Sequence, residues 1–160
     1  MVKLPLHTLT SADVTYLANK LKISSFAGCF MKDQLKARPG KVESGILNLE
    51  NSSEDGSHWV AWYKNANDRY YFDSYGMPPP KELLNYLKTT NEIRQKSKVV
   101  KQSSVEVQQD TSYECGALCL YVLFHITKGV PFDKILQNLL DRYHKNVNGP
   151  HEIDLTINLL

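Results

Sequence analysis

The sequence lacks any apolar run long enough to span a bilayer: the longest, Ala117 to Phe124, falls far short of the roughly 20 residues a membrane helix needs. Met1 to Leu6 hold no long apolar core before His7, so no export signal is expected. Cysteine is sparse and odd in number. There are three, and Cys115 and Cys119 lie one helical turn apart inside an apolar run, which does not suit a secreted disulfide framework and fits a reducing compartment. No Cys-x-x-Cys pair accompanies them and the histidines lack ligand spacing, so no metal site is expected. Low-complexity tracts are also missing, which argues against disorder. The formal net charge of +2 is too small to imply nucleic-acid binding by itself. Arg94, Lys96, Lys98 and Lys101 do form a local basic cluster, read here as a solvated surface segment.

What is present suits one core. With 160 residues, 42% hydrophobic and 22% charged, the chain is too short for two ordinary domains, so residues 1–160 are expected to form a single domain. Val14, Leu17, Ala18 and Leu21 recur at helical spacing over Ser11 to Leu21, with Thr10 or Ser11 placed to cap the helix. An irregular stretch through Phe26, Cys29 and Phe30 follows, then a turn at Arg38-Pro39-Gly40 and a strand over Gly45 to Leu49. Ser57 to Lys64 and Arg69 to Asp73 are aromatic and β-branched, and the turn formers Asn65 to Asp68 between them predict an antiparallel hairpin. Alternation along its first strand puts His58, Val60 and Trp62 on one face and Trp59, Ala61 and Tyr63 on the other.

Beyond Pro78-Pro79-Pro80, Lys81 to Lys88 reads as a helix with Leu83, Leu84 and Leu87 inward, and Val99 to Val107 as another strand. Cys115 to Thr127 is almost wholly apolar and is followed by Lys128-Gly129 and Pro131, the pattern of a central buried helix. Phe132 to His144 continues as an amphipathic helix through Ile135, Leu136, Leu139 and Leu140. Strands in one block with helices around them predict an α+β fold, a small mixed or antiparallel sheet flanked by helices.

Cleavage of a peptide bond by a thiol needs a thiolate, an imidazole to exchange its proton, a group that orients the imidazole and donors for the oxyanion. Cys115 falls in the first turn of the apolar helix, where free N–H groups and the helix dipole lower a thiol pKa. Thr111 and Glu114 have capping-box spacing, which supports a helix start there, and Gly116 keeps the approach to the sulfur open. The competing reading of Cys115 is a small buried hydrophobe, which is the expected role of Cys119. His58 stands at the mouth of a strand, and Asp73 at the end of its partner can reach the imidazole, although a strand-end aspartate is also a common turn residue. Gln109, six positions before Cys115, could return its amide over the thiolate, with Gln108 in competition.

At these residues the sequence resembles the adenovirus-type processing proteases (adenain), including those of Maverick/Polinton elements, and the related Ulp-type proteases of SUMO-like modifiers. The likeness lies in His58-Trp59, in Tyr71 to Gly76, in Gln109-x5-Cys115-Gly116, and in Phe26 to Phe30 and Gly45 to Leu49, over roughly residues 24 to 128. The order His, Asp, Gln, Cys is not that of papain, whose cysteine comes first. The resemblance implies an Ulp/adenain-like fold with the nucleophile at the N-terminus of the buried central helix. It also implies a cysteine endopeptidase acting on a protein or polyprotein substrate, capsid or core precursors of a virus or virus-like element, as a monomer in host nucleus or cytoplasm or inside the virion. Trp59 would pack beside the histidine and narrow the cleft around small residues, or serve the core alone.

Adenain has glutamate where this chain has Asp73, as Ulp-type enzymes do. Adenain's activating peptide forms a disulfide with a cysteine upstream of the glutamine, and Asn91 to Gln108 contain none, so no disulfide-linked activator is expected. No cofactor is required; the resemblance leaves open stimulation by DNA, which would use Arg94 to Lys101, or by a peptide held without a disulfide. Two other activities share the residue order: deconjugation of a ubiquitin-like protein, and acetyl transfer through cysteine.

Overall fold

Two periodicities organise the chain, one of two residues in its strands and one of 3.6 in its helices. The computed structural model describes residues 1–54, 58–89, 99–149 and 152–159. In chain order the elements are β1 (Val2–Lys3), α1 (Ser11–Lys20), β2 (Phe26–Met31), a 3-10 turn (Lys32–Gln34), β3 (Glu43–Asn48), β4 (Trp59–Lys64), β5 (Arg69–Phe72), α2 (Lys81–Lys88), β6 (Lys101–Gln102), α3 (Cys115–Thr127), α4 (Phe132–Asn148) and β7 (Thr156–Ile157). Five strands form one sheet in the order β2-β3-β4-β5-β6, antiparallel at its centre and parallel at both edges. β1 and β7 make a separate antiparallel ribbon. The α+β expectation of a mixed sheet flanked by helices is met.

The alternation in β4 works as expected. Trp59 and Ala61 join Ile46 and Phe72 in a core completed by α1, α3 and α4, whereas Val60 and Trp62 join Leu47 and Tyr71 beneath Leu83, Tyr86 and Leu87 of α2. In α2, Tyr86 is buried and Leu84 is not, a one-position rotation from the predicted face. Nine residues of α3 are buried, and a helix apolar all round has to lie between other layers. Thr10 caps α1 in a capping box with Asp13. In the hairpin turn, Asn65 Oδ1 accepts from the N–H groups of Asn67 and Asp68 at 2.9 and 2.7 Å.

Three local expectations are corrected. The irregular stretch at Phe26 is strand β2, paired in parallel with β3 across a register shift between Phe26 and Cys29; short alternation around Gly28 does not reveal a pairing that a distant strand supplies. The strand predicted over Val99 to Val107 survives only as Lys101–Gln102. After it the Ser103 hydroxyl accepts from the Asp73 N–H and donates to the Asp73 carbonyl, and Val107 N–H donates to Ser74 O, so the chain is drawn across the end of β5. At α3 the N-cap is Glu114, with no side-chain capping bond, so the Thr111 capping box does not form.

Of the basic cluster, Arg94, Lys96 and Lys98 lie outside the described residues. Lys101 stands 5.6 Å over the Tyr70 ring and 3.8 Å from Asp68. Among the described residues no helix is long and apolar enough to cross a membrane.

Candidate active site

His58 is the residue before β4 and Asp73 the residue after β5, so the hairpin holds both at the end away from its turn. Its ladder pairs Ala61 with Phe72 and Trp62 with Tyr71. At that end His58 Nε2 meets Asp73 Oδ1 at 2.6 Å. The aspartate is nearly inaccessible and also accepts from the N–H groups of Tyr75 and Met77, both at 3.1 Å. A carboxylate with three donors is fixed in orientation as well as in charge. With Nε2 committed to Asp73, Nδ1 is the nitrogen left to exchange a proton with Cys115.

Cys115 opens α3, at the helix terminus where backbone N–H groups lack helical partners. Burial opposes its ionisation, but the hydrogen bond with His58, backbone N–H donors and the imidazolium charge outweigh it and hold the thiol below its usual range. Burial likewise opposes charging of His58, and its bonds to Asp73 and Cys115 overcome this and raise it to about 9. Both shifts favour the charged forms, thiolate at Cys115 and imidazolium at His58. The other cysteines differ in sign. Burial pushes Cys29 up to about 12, and Cys119, fully buried with its Sγ 3.4 Å from Trp59 O, goes well above the thiol range.

Cys115 and His58 face a cleft of about 500 Å³. Thr8 to Ser11, Met31, Asn48, Tyr75, Asp110 and Tyr113 line it with them. Trp59 lines it too, held by an Nε1–H bond to Leu9 O at 2.9 Å. A Cβ on Gly116 would press on Leu9 and on Trp59 at 3.1–3.3 Å. Gly116 therefore serves close packing of the wall onto α3, a correction to the expectation that it clears the path to sulfur.

His58, Asp73, Cys115 and Trp59 are thus brought together, but Gln109 is not among the residues facing the cleft. Gln108 is, and its amide is engaged at both ends: Oε1 accepts from Ser74 Oγ at 2.6 Å and Nε2 donates to Ser112 O at 3.0 Å. Gln109 is half-buried beside it, its carbonyl accepting from the Ser112 N–H at 3.0 Å in the turn that leads to Cys115. Tyr75 was missed as a site residue. Its ring stacks on His58 with centroids 4.9 Å apart and 26° between planes, and its sequence signals were its place two residues after Asp73 and within the Tyr71 to Gly76 segment.

Comparison with known proteins bears on the fold. No family model matches the sequence. A relative from Acanthamoeba polyphaga mimivirus, named "Putative thiol protease R355", is 33% identical over 106 residues, 59% of this chain and 33% of the relative. Among solved structures, the ASFV pS273R protease superposes with a TM-score of 0.58 at 18% identity, over 81% of this chain and 61% of that one. The SUMO protease Ulp1, solved with its catalytic cysteine oxidised to a sulfinic acid, gives 0.50 at 13% identity over 90% and 79%. The chain has an Ulp1-like protease fold. It spans a third of the mimivirus relative's length and about three fifths of the pS273R chain.

On that Ulp1-like frame the paired pKa shifts predict the pH dependence of thiol reactivity. Thiolate forms as pH rises through the lowered Cys115 value, and the imidazolium is lost as pH passes about 9. Iodoacetamide should therefore alkylate Cys115 at lower pH than an ordinary thiol, near 8.5, requires. In His58→Ala the alkylation profile should return to the ordinary position, and an unchanged profile there would contradict the ion pair.

Proposed function

We propose that this chain is a cysteine endopeptidase that processes precursor proteins of a virus or virus-like element. The observation that carries the reading is the thiol at the helix terminus paired with a histidine that a buried aspartate holds at 2.6 Å. Cys115 attacks the scissile carbonyl as thiolate, His58 gives its proton to the leaving amine, and water resolves the acyl-enzyme with His58 as base. Asp73 fixes the imidazole. The oxyanion is met by backbone N–H groups at the start of α3 and, once it swings in from its half-buried place beside the cleft, by the side-chain amide of Gln109, since Gln108 is spent as a strut between Ser74 and Ser112. Trp59 and Leu9 narrow the cleft, which favours small residues about the cleaved bond. The chemistry needs no cofactor; stimulation by DNA would be seen as a salt-sensitive rise in rate.

Support for the substrate class comes from the viral names of the relatives, and Ulp1's name as a SUMO protease keeps deconjugation as the second reading. One comparison separates them. A peptide library should be cleaved, with small residues enriched at the scissile bond, while ubiquitin and SUMO probes bearing a C-terminal electrophile should leave Cys115 unmodified. Labelling by such a probe would move the assignment to deconjugation, and acetylation of a protein from acetyl-CoA would move it to acetyl transfer. Absence of all three would remove the catalytic reading.

A further inference from the structure

The residue before the nucleophile carries a buried charge. Glu114 is 3% exposed, and Arg142 of α4, 8% exposed, grips its carboxylate with both ends of the guanidinium, Nη1 to Oε1 at 3.2 Å and Nη2 to Oε2 at 2.9 Å. The same arginine donates from Nε and Nη2 to Ile153 O at 3.0 and 2.8 Å, and Ile153 N–H donates to Asn146 Oδ1 at 2.6 Å. Ile153 lies two residues before Leu155, whose carbonyl accepts from Leu4 N–H, and shortly before β7, which pairs with β1. Arg142 therefore ties the C-terminal segment and α4 to the first residue of the helix end that bears the thiol. Glu152 lies beside this pair, and burial together with the neighbouring Glu114 carboxylate raises its pKa above the usual carboxylate value.

We infer that Arg142 is a positioning residue for Cys115, acting through Glu114. Glu114 is the N-cap of α3 with φ −91° and ψ 9°, and its carbonyl accepts from Leu118 N–H at 2.9 Å. Its backbone sets where the Cys115 thiol emerges, and its own side chain offers no capping bond to hold that backbone. The planar guanidinium fork does so instead, a job that a lysine's single ammonium cannot reproduce. This role rests on the proposed thiol chemistry.

Arg142→Lys keeps the charge balance and removes the fork, and Glu114→Gln with Arg142→Met removes both charges without leaving one buried and unpaired. Both should melt near the wild type. Each should lower kcat about 10²-fold, as misplacement of a reacting group by about 1 Å does, with KM within about twofold. In both, iodoacetamide alkylation of Cys115 should shift to higher pH, because the sulfur no longer sits squarely on the His58 imidazole. A folded Arg142→Lys variant with wild-type kcat and an unshifted alkylation profile would overturn the inference. If Arg142→Lys fails to fold, the double variant decides by the same criteria, and if neither reaches a wild-type melting temperature the fork is structural and the inference falls. The alkylation profile needs no substrate. Failure of the endopeptidase reading would appear separately, as a wild-type protein that alkylates early yet cleaves nothing.

Discussion

Cys115→Ala should abolish peptide cleavage and covalent labelling by a thiol-directed electrophile at neutral pH, while Cys119→Ala retains both. The two thiols share one helix, and their surroundings push them in opposite directions. Cys115 meets an imidazole and the unsatisfied N–H groups of a helix terminus, whereas Cys119, one turn deeper, is wholly buried and surrounded by negative charge from Cys115 and Asp73. Loss of a nucleophile of this kind costs on the order of 10⁶ in kcat. Mass spectrometry after brief iodoacetamide treatment, read beside the rate of cleavage, tests it. Equal labelling of the two variants would sink the assignment of Cys115.

Asp73→Asn should lower kcat by about 10⁴, the scale seen when a triad carboxylate becomes an amide. The carboxylate accepts from His58 Nε2 and from the N–H groups of Tyr75 and Met77 at once. An amide can present only one oxygen to these donors, so it either forfeits a backbone bond or turns its NH₂ towards His58 and selects the wrong tautomer. The sign of the accompanying pH effect follows. Asp73 is among the groups that raise His58 to about 9. Without its charge the imidazole loses its proton at lower pH, and the alkaline limb of kcat/KM should move down. A variant that keeps a tenth of the wild-type kcat, with its alkaline limb in place, would show that Asp73 only closes the turn.

Much of the site was legible because its parts are local. Period-two alternation placed Trp59 and Val60 on opposite faces of β4, and a turn-forming tetrapeptide fixed a hairpin whose two free ends carry His58 and Asp73. The apolar run beginning at Cys115 marked both the central helix and its polar start. A slip of one residue in the hairpin would have turned Asp73 away, and only the observed register excludes it.

Other features depended on partners distant in sequence. β2 becomes a strand through β3, and the segment after Gln102 leaves the sheet because Ser103 binds Asp73. Glu114 offered itself as half of a capping box, yet its carboxylate is taken by Arg142, 28 positions away. Gln108 and Gln109 are alike in local terms, and Ser74 rather than any spacing decides which of them is tied down. Residue type and period determined which groups this protein has for thiol chemistry and on which elements they ride. Tertiary structure alone decided how far apart they sit and how each is charged, because those depend on burial and on donors that the chain brings together only when folded.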